Sequence, residues 1–454
     1  MKEQESRKIM ATTPQTNPSW STWAHQHNTQ PTGVLAPRST PELQQRIQDA
    51  ATHGTRVKVM GRGRSASAIG QPAGALLTLE HLTGLIRVEP HNLTATFLAG
   101  TTVREANRLL GHYKLAFTNL GHLDDQTLAG AISTGFHGTG LTYGTFATQV
   151  AELKLVDATG TLLTCSPQQN PEIFSAALCG LGALGIIVEI TFNLVPQFRL
   201  HAAERGHSYQ DIIHSFEDRA RGADHYEFSW FPGSNEVRTR RLTRLALLTD
   251  GYMPASAALS QARRYGGDYL LNNGIFSALS YTGAKIPAMQ PVLNKVSNWG
   301  KGNRRYADYS ARVFTINRTV RQNNMEYAFS MPQFADLMRD LRTHLASHPS
   351  QSAYPLVIRT AAADNIWLSQ AYGRETFYIS ARAYWRQPHT ELFGTLEEIF
   401  KKHGGRPHWG QHHTQDAEAL SQLYPRFENF VELREELDPS GLFLNPYLDW
   451  VLMR

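Results

Sequence analysis

The stretch TNLGHLDDQTLAGAISTGFHGTGLTYG, residues 118–144, carries glycine at Gly121, Gly130, Gly135, Gly138, Gly140 and Gly144. Glycine spaced this irregularly does not read as a helix. Glycine this dense does not suit a packed core strand either, because each one costs backbone entropy and brings no side chain to pack. A structureless loop of this length is uncommon inside a compact domain. The stretch therefore points to backbone lying flat against a large planar ligand, with Thr127, Ser133, Thr134 and Thr139 offering hydroxyls to phosphate or polyol oxygens. The bland alternative is a flexible surface loop.

A second glycine run, VKVMGRGRSASAIGQP, follows a short strand pattern. Gly61, Gly63 and Ala66 formally satisfy G-x-G-x-x-G/A, which raises a Rossmann dinucleotide site. That site needs a helix to open at the glycines, and Gly70 and Pro72 leave no room for one. A tight loop that aims backbone N–H groups at a pyrophosphate needs only glycine's φ freedom and close approach. Ser65 and Ser67 would add donors, and a plain strand-to-strand turn is the remaining reading.

Composition narrows the class. A chain of 454 residues suits two or three domains, and 41% hydrophobic with 18% charged residues is the balance of a globular enzyme. Cys165 and Cys179 are the two cysteines, too few for a disulfide framework or a metal cluster, and they suit a reducing, cytoplasmic setting. The N-terminal MKEQESRKIMATTPQTNPSW lacks a signal-peptide apolar region, and no run of roughly 18 apolar residues suggests a membrane span. Net charge is +5 without a nucleic-acid-binding motif, and the densest basic stretch, RTRRLTR at Arg238–Arg244, reads as a solvated strand or helix face.

Along the chain, a helix over Pro41–His53 with Thr40 as N-cap leads into the first glycine loop, strands follow, and VREANRLLGHY reads as a helix. The first 200 or so residues thus form an α+β unit rather than repeated βαβ. ALCGLGALGIIVEITFNLVP reads as a glycine turn and a buried strand from Ile186 to Val195. A change to strands such as HYEFSWF and TFYISARAYW starts a second domain near Pro196. In GGRPHWGQHH, His408 and His412 stand at i, i+4 beside His413, a zinc-like spacing, but Pro407 and Gly410 weaken the helix and no acidic ligand is near, so no metal is expected.

These motifs, in this order, together with IRTAAADNIWLSQAYGRETFYI and the closing LDPSGLFLNPYL, resemble the FAD-dependent aldonolactone oxidase family, which includes L-gulonolactone oxidase or dehydrogenase and alditol oxidase. The resemblance spans roughly Trp20 to Leu452. It implies the two-domain vanillyl-alcohol-oxidase (PCMH-type) α+β fold: a flexible extension over 1–18, an FAD-binding domain over 19–197, an antiparallel-sheet cap over 198–405, and a return segment over 406–454. It implies hydride transfer from an alcohol- or lactone-type C–H of a small polar substrate to flavin N5, with O2 or another acceptor reoxidising the flavin.

Family positions for FAD fall on Gly61, Arg62, Gly63, Arg64 and Ser65 in the first loop. They fall on Gly121, Thr127, Gly130, Ser133, Thr134, His137, Gly138 and Gly140 in the second, and on Ile187 and His408 beyond. Gly121 matches a place beside the flavin where a small residue leaves space for O2. Many relatives tether FAD through a histidine where this chain has Arg64, which implies non-covalent FAD with Arg64 facing the pyrophosphate.

The pocket residues implied are Arg359, Arg382, Gln411 and His122, the last a candidate general base. Here Val357 replaces a family glutamate, Arg382 a histidine and Gln411 a lysine. Arg359 with Arg382 would suit an anionic substrate. Two alternatives therefore stand beside the lactone reading: a specialised-metabolite flavin oxidase on an amino-acid-derived or anionic substrate, and a flavin-binding protein without turnover.

Overall fold

The computed structural model describes residues 19–245, 302–316, 320–347 and 354–453, so the extension expected over 1–18 lies outside the described residues. The first helix runs Thr40–Thr52 and buries Leu43, Ile47 and Ala50, apolar positions at helical spacing. Its cap is Ser39, not Thr40: Ser39 has the extended backbone of a cap, and its hydroxyl accepts from the Glu42 N–H. This helix feeds a three-stranded parallel sheet in the order Val34–Leu35, Ala75–Thr78, Val57–Met60.

A five-stranded antiparallel sheet follows, ordered Leu162–Cys165, Val150–Val156, Ile186–Asn193, Thr94–Leu98, Leu85–Glu89. The strand expected to reach Val195 stops at Asn193. The glycine stretch is not structureless: Leu128–Ser133 form a short helix, because Thr127 caps it by accepting from the Gly130 N–H and LAGAIS contains good helix formers around its single glycine.

Eight antiparallel strands make the second large sheet, ordered Arg304–Tyr309, Arg199–Ser208, Glu236–Leu245, His225–Trp230, Leu356–Ala361, Thr376–Tyr384, Gln322–Ser330, Arg406–Pro407. Alternation gives this sheet two different faces. Phe228, Ile358, Ile379, Tyr327 and Phe377 pack in one apolar core with Phe216, Leu341 and Phe400 of the helices Tyr209–Arg221, Phe334–Ser347 and Thr390–Lys402. Arg240, Glu227, Arg359, Ser380 and Glu326 occupy the other face, which meets the glycine stretch: the Gly140 N–H donates to Thr360 O at 3.0 Å.

The chain ends back in the first part of the fold. Val57 N–H donates to Leu442 O, and the Asn445 amide donates to the carbonyls of Ala68, Ile69 and Gln71 while its oxygen caps the helix Pro446–Leu452.

Candidate cofactor and substrate site

Segments distant in sequence, four of them carrying the residues singled out above, line one cavity of about 500 Å³, with Trp20, Thr22 and residues of 78–83 and 100–105 completing the wall. The first glycine loop supplies Gly61, Arg62, Gly63, Arg64 and Ser65; the second supplies Gln126, Thr127, Gly130, Ser133 and Thr134; the strand turn supplies Leu181, Gly182, Gly185 and Ile187; the C-terminal return supplies His408, Gly410 and Gln411. Gly63 sits at φ +63°, a conformation that favours glycine, and a Cβ on Gly61 would stand 2.5 Å from the Thr127 hydroxyl oxygen. The return segment is pinned to the first loop by Ala66 N–H to Gly410 O at 2.7 Å and Ser67 Oγ to Trp409 O at 2.8 Å.

The wall chemistry fits a large, flat, phosphate-bearing group. Eight glycines line the cavity and let backbone approach closely. Arg64 Nη1, Gln126 Oε1 and Gln411 Oε1 are buried without a hydrogen-bond partner among the described residues, which leaves polar groups for a bound molecule to satisfy. Burial holds the His408 imidazole down to about 4, so it is neutral at ordinary pH.

Lys58 also lines this cavity, and no sequence motif announced it. Its buried ammonium donates to Leu181 O, Gly182 O and Phe443 O at 3.2–3.3 Å, joining strand, turn and C-terminal return at one point. Burial pulls it down to about 7, partly opposed by Asp438.

Behind His408 lies a second polar group. His408 N–H donates to Glu326 O at 2.9 Å. The Glu326 carboxylate, with a side chain only 3% exposed, meets His137 Nε2 at 3.0 Å, Arg359 Nη2 at 2.7 Å and Ser380 Oγ at 2.5 Å. Burial alone would raise this carboxyl, but Arg359 and His137 outweigh it and hold it well below the usual range. Ser380 stands opposite both Glu326 and Val357 in the strand register, so a carboxylate occupies the same face two strands from Val357.

The ladder continues outward. Glu227 contacts His122 Nε2 at 3.0 Å and Arg240 Nη1 at 3.1 Å, and Arg240 reaches Glu204, which pairs with Arg304 at 2.7 Å. Glu227 is held far below its ordinary value, the attraction of His122 and Arg240 overcoming burial. Arg240 belongs to the stretch expected to be a solvated face; the strand turns its side chain inward to 13% exposure because Glu204 and Glu227 flank it on neighbouring strands.

Of the residues singled out from sequence, Gly61, Arg62, Gly63, Arg64, Ser65, Thr127, Gly130, Ser133, Thr134, Ile187, His408 and Gln411 come together around the cavity. Gly121, His122, His137, Gly138, Gly140, Arg359 and Arg382 are not part of its lining. A Cβ on Gly121 would fall 2.4 Å from the Phe136 ring, and one on Gly138 2.6 Å from Leu120 O, so these glycines serve close chain packing. Gly140, at φ +128°, would meet Asp224 O. His137 stacks on Tyr378 with ring centres 3.6 Å apart, and Arg382 stands opposite Asn324 in the strand register. His408, His412 and His413 do not lie on a helix, and among the described residues no cluster has the makings of a metal site.

Comparison with known proteins agrees with this architecture. Residues 190–451 match the D-arabinono-1,4-lactone oxidase family and residues 31–166 the FAD binding domain family. L-gulono-1,4-lactone dehydrogenase of Mycobacterium tuberculosis is 31% identical over 96% of this chain and 99% of its own. L-gulonolactone oxidase of Mus musculus is 29% identical, covering 94% and 97%. Among solved structures, cholesterol oxidase from B. sterolicum superposes with a TM-score of 0.80 at 16% identity, over 98% of this chain and 99% of that one, which bears on the fold alone. The expected α+β flavoprotein fold with an antiparallel second sheet is therefore present, FAD is the cofactor, and the chain belongs to the D-arabinono-1,4-lactone oxidase family of FAD-dependent oxidoreductases.

Proposed function

We propose that the protein oxidises a neutral aldonolactone or a closely related polyol at a hydroxyl-bearing carbon, with FAD held non-covalently. The observation that carries the neutral-substrate reading is the charge balance behind His408. Arg304, Arg240 and Arg359 face Glu204, Glu227 and Glu326, three cations against three carboxylates joined by ion pairs. An anionic substrate would have to compete with Glu326 for Arg359, and a buried charge parted from its partner is costly. A neutral hydroxylated ring needs only donors and acceptors.

When bound, FAD supplies the two-electron acceptor. The protein's part is to orient the carbon and manage the proton. Glu227 holds the His122 ring through Nε2, a pairing that orients the imidazole for proton exchange with a substrate hydroxyl. Gln411 offers an amide dipole at the cavity wall where a lysine would offer a full charge. Arg359, held by Glu326 and by His137 O at 3.3 Å, is a fixed donor array for substrate oxygens. The buried free thiols Cys165 and Cys179 support residence in a reducing compartment.

Anaerobic bleaching of the flavin tests this reading. L-gulono-1,4-lactone, D-arabinono-1,4-lactone and xylitol are compared with the open-chain aldonates at neutral pH, followed by admission of air to identify O2 as acceptor. Bleaching by the lactones or the polyol supports the proposal; bleaching by the aldonates alone, or by none of them, overturns it.

A further inference from the structure

We infer that Arg64, Asp125 and Trp23 form a latch over the cofactor cavity that retains FAD without a covalent bond. Arg64 lines the cavity and pairs through Nη2 with Asp125 Oδ2, their side chains only 15% and 21% exposed. Its guanidinium carbon lies 4.2 Å from the centre of the Trp23 ring, within cation–π range. The Trp23 N–H donates to Gly63 O at 2.8 Å, so the N-terminal segment is fastened to the same loop. Three separate pieces of chain, the segment around Trp23, the first glycine loop and the second glycine stretch, thus meet at one side chain on the cavity wall.

Charge counting shows why Arg64 acts as a fastener rather than as the diphosphate's cation. Arg62, Arg64 and Arg104 cluster here with Asp124 and Asp125. Arg104 pairs with Asp124 at 2.7 Å and Arg64 with Asp125. Of these three arginines, Arg62, exposed and lining the cavity, is the one left to attract phosphate. Arg64 Nη1, on the cavity wall, is buried without a partner among the described residues and so retains one bonding direction for the bound cofactor, while Asp125, outside the lining, acts by holding Arg64. A planar fork that stacks, pairs and still donates is a role lysine cannot fill.

The inference rests on non-covalent attachment, which acid precipitation of the wild-type protein tests separately: yellow colour in the supernatant supports that premise, and colour confined to the pellet removes it. The latch is tested by titrating full-length, flavin-stripped Arg64→Ala, Arg64→Lys, Asp125→Asn and the Arg64→Ala/Asp125→Asn double variant with FAD, following flavin fluorescence and its dissociation rate. Arg64→Ala and Asp125→Asn are each expected to raise the FAD Kd about ten- to a hundredfold, mostly through faster release. The double variant should be no worse than the weaker-binding single variant, and Arg64→Lys should fall between wild type and Arg64→Ala. Far-UV circular dichroism of the apo forms establishes that each variant is folded, and should a glycine-loop variant fail to fold, Trp23→Phe, outside that loop, reads the stacking contact by itself, with a several-fold weaker Kd expected. Unchanged Kd and release rate in folded variants, or strictly additive losses in the double variant, would overturn the latch.

Discussion

Removing the Glu326 carboxylate should expose how the polar face is held together. Glu326 and Arg359 are only 3% and 10% exposed and lie 2.7 Å apart, so solvent screens them little. Glu326→Gln leaves the Arg359 guanidinium buried with its ion pair gone, and Arg359→Met leaves the carboxylate with only His137 and Ser380. Breaking a buried pair from one side costs about 3–5 kcal/mol, and Gln keeps part of the hydrogen bonding, which puts Glu326→Gln near the lower figure. The double variant removes both charges, so its loss should fall short of the sum of the singles by at least about 2 kcal/mol. Urea unfolding followed by circular dichroism, compared at one denaturant concentration, measures all four proteins. The carboxyl is held below its usual 4.5, so the pair's contribution is complete above that value and fades as pH falls through the lower folded value. The Glu326→Gln deficit should therefore be constant from neutral pH down to about 5 and shrink in stronger acid. Additivity within about 0.5 kcal/mol would refute the reasoning, since it would mean that the two groups do not sense each other.

Other perturbations read other parts of the site. Burial lowers Lys58 from 10.5 to about 7, so the unfolded chain binds more protons between these values; stability should rise with pH across that window, and Lys58→Met should flatten the rise in a pH series of thermal unfolding. Asn445→Ala deletes three amide-to-carbonyl bonds and a helix cap, and a loss of about 2–4 kcal/mol with weaker FAD retention is expected from unfolding and flavin-release measurements. Gln411→Lys places a cation at the cavity wall and should raise the flavin's two-electron potential, about 30 mV for each 1.4 kcal/mol of preferential stabilisation of the reduced form, as read by dye-coupled redox titration. Gly121→Ala drives a methyl into the Phe136 ring and should cost about 1–3 kcal/mol of stability; a variant as stable as wild type with altered O2 reactivity alone would favour the O2-access role instead.

The cavity was largely legible in sequence because glycine loops carry their reason locally. Gly63 at positive φ is a requirement of its own loop, whereas the approach of Gly61 to Thr127 is made between the two loops and only the glycine itself is visible in sequence. The helix inside the second glycine stretch was missed because glycine density masked a good cap, Thr127, ahead of LAGAIS. The charge ladder was illegible for a different reason. Glu204, Glu227, Arg240, Glu326 and Arg359 meet through the register of strands far apart in the chain, and no local pattern encodes that register. One weak signal was present: Glu326 lies between Met325 and Tyr327 in a strand buried on both faces, where an acid demands a partner. Lys58, inside the apolar run VKVM, was the corresponding signal in the first half.

The C-terminal return sets a timetable. The wall around Ile187 and the wall at His408 belong to one cavity but are made far apart in time, for a ribosome adds about 5–20 residues per second and roughly ten to forty seconds separate the two positions. Until residues 406–453 emerge, the nascent chain lacks the wall that His408, Gly410 and Gln411 provide. A premature stop anywhere in the last tenth of the message would therefore yield a nearly full-length polypeptide that lacks the closing wall, a natural client for chaperones and proteases rather than a weak enzyme.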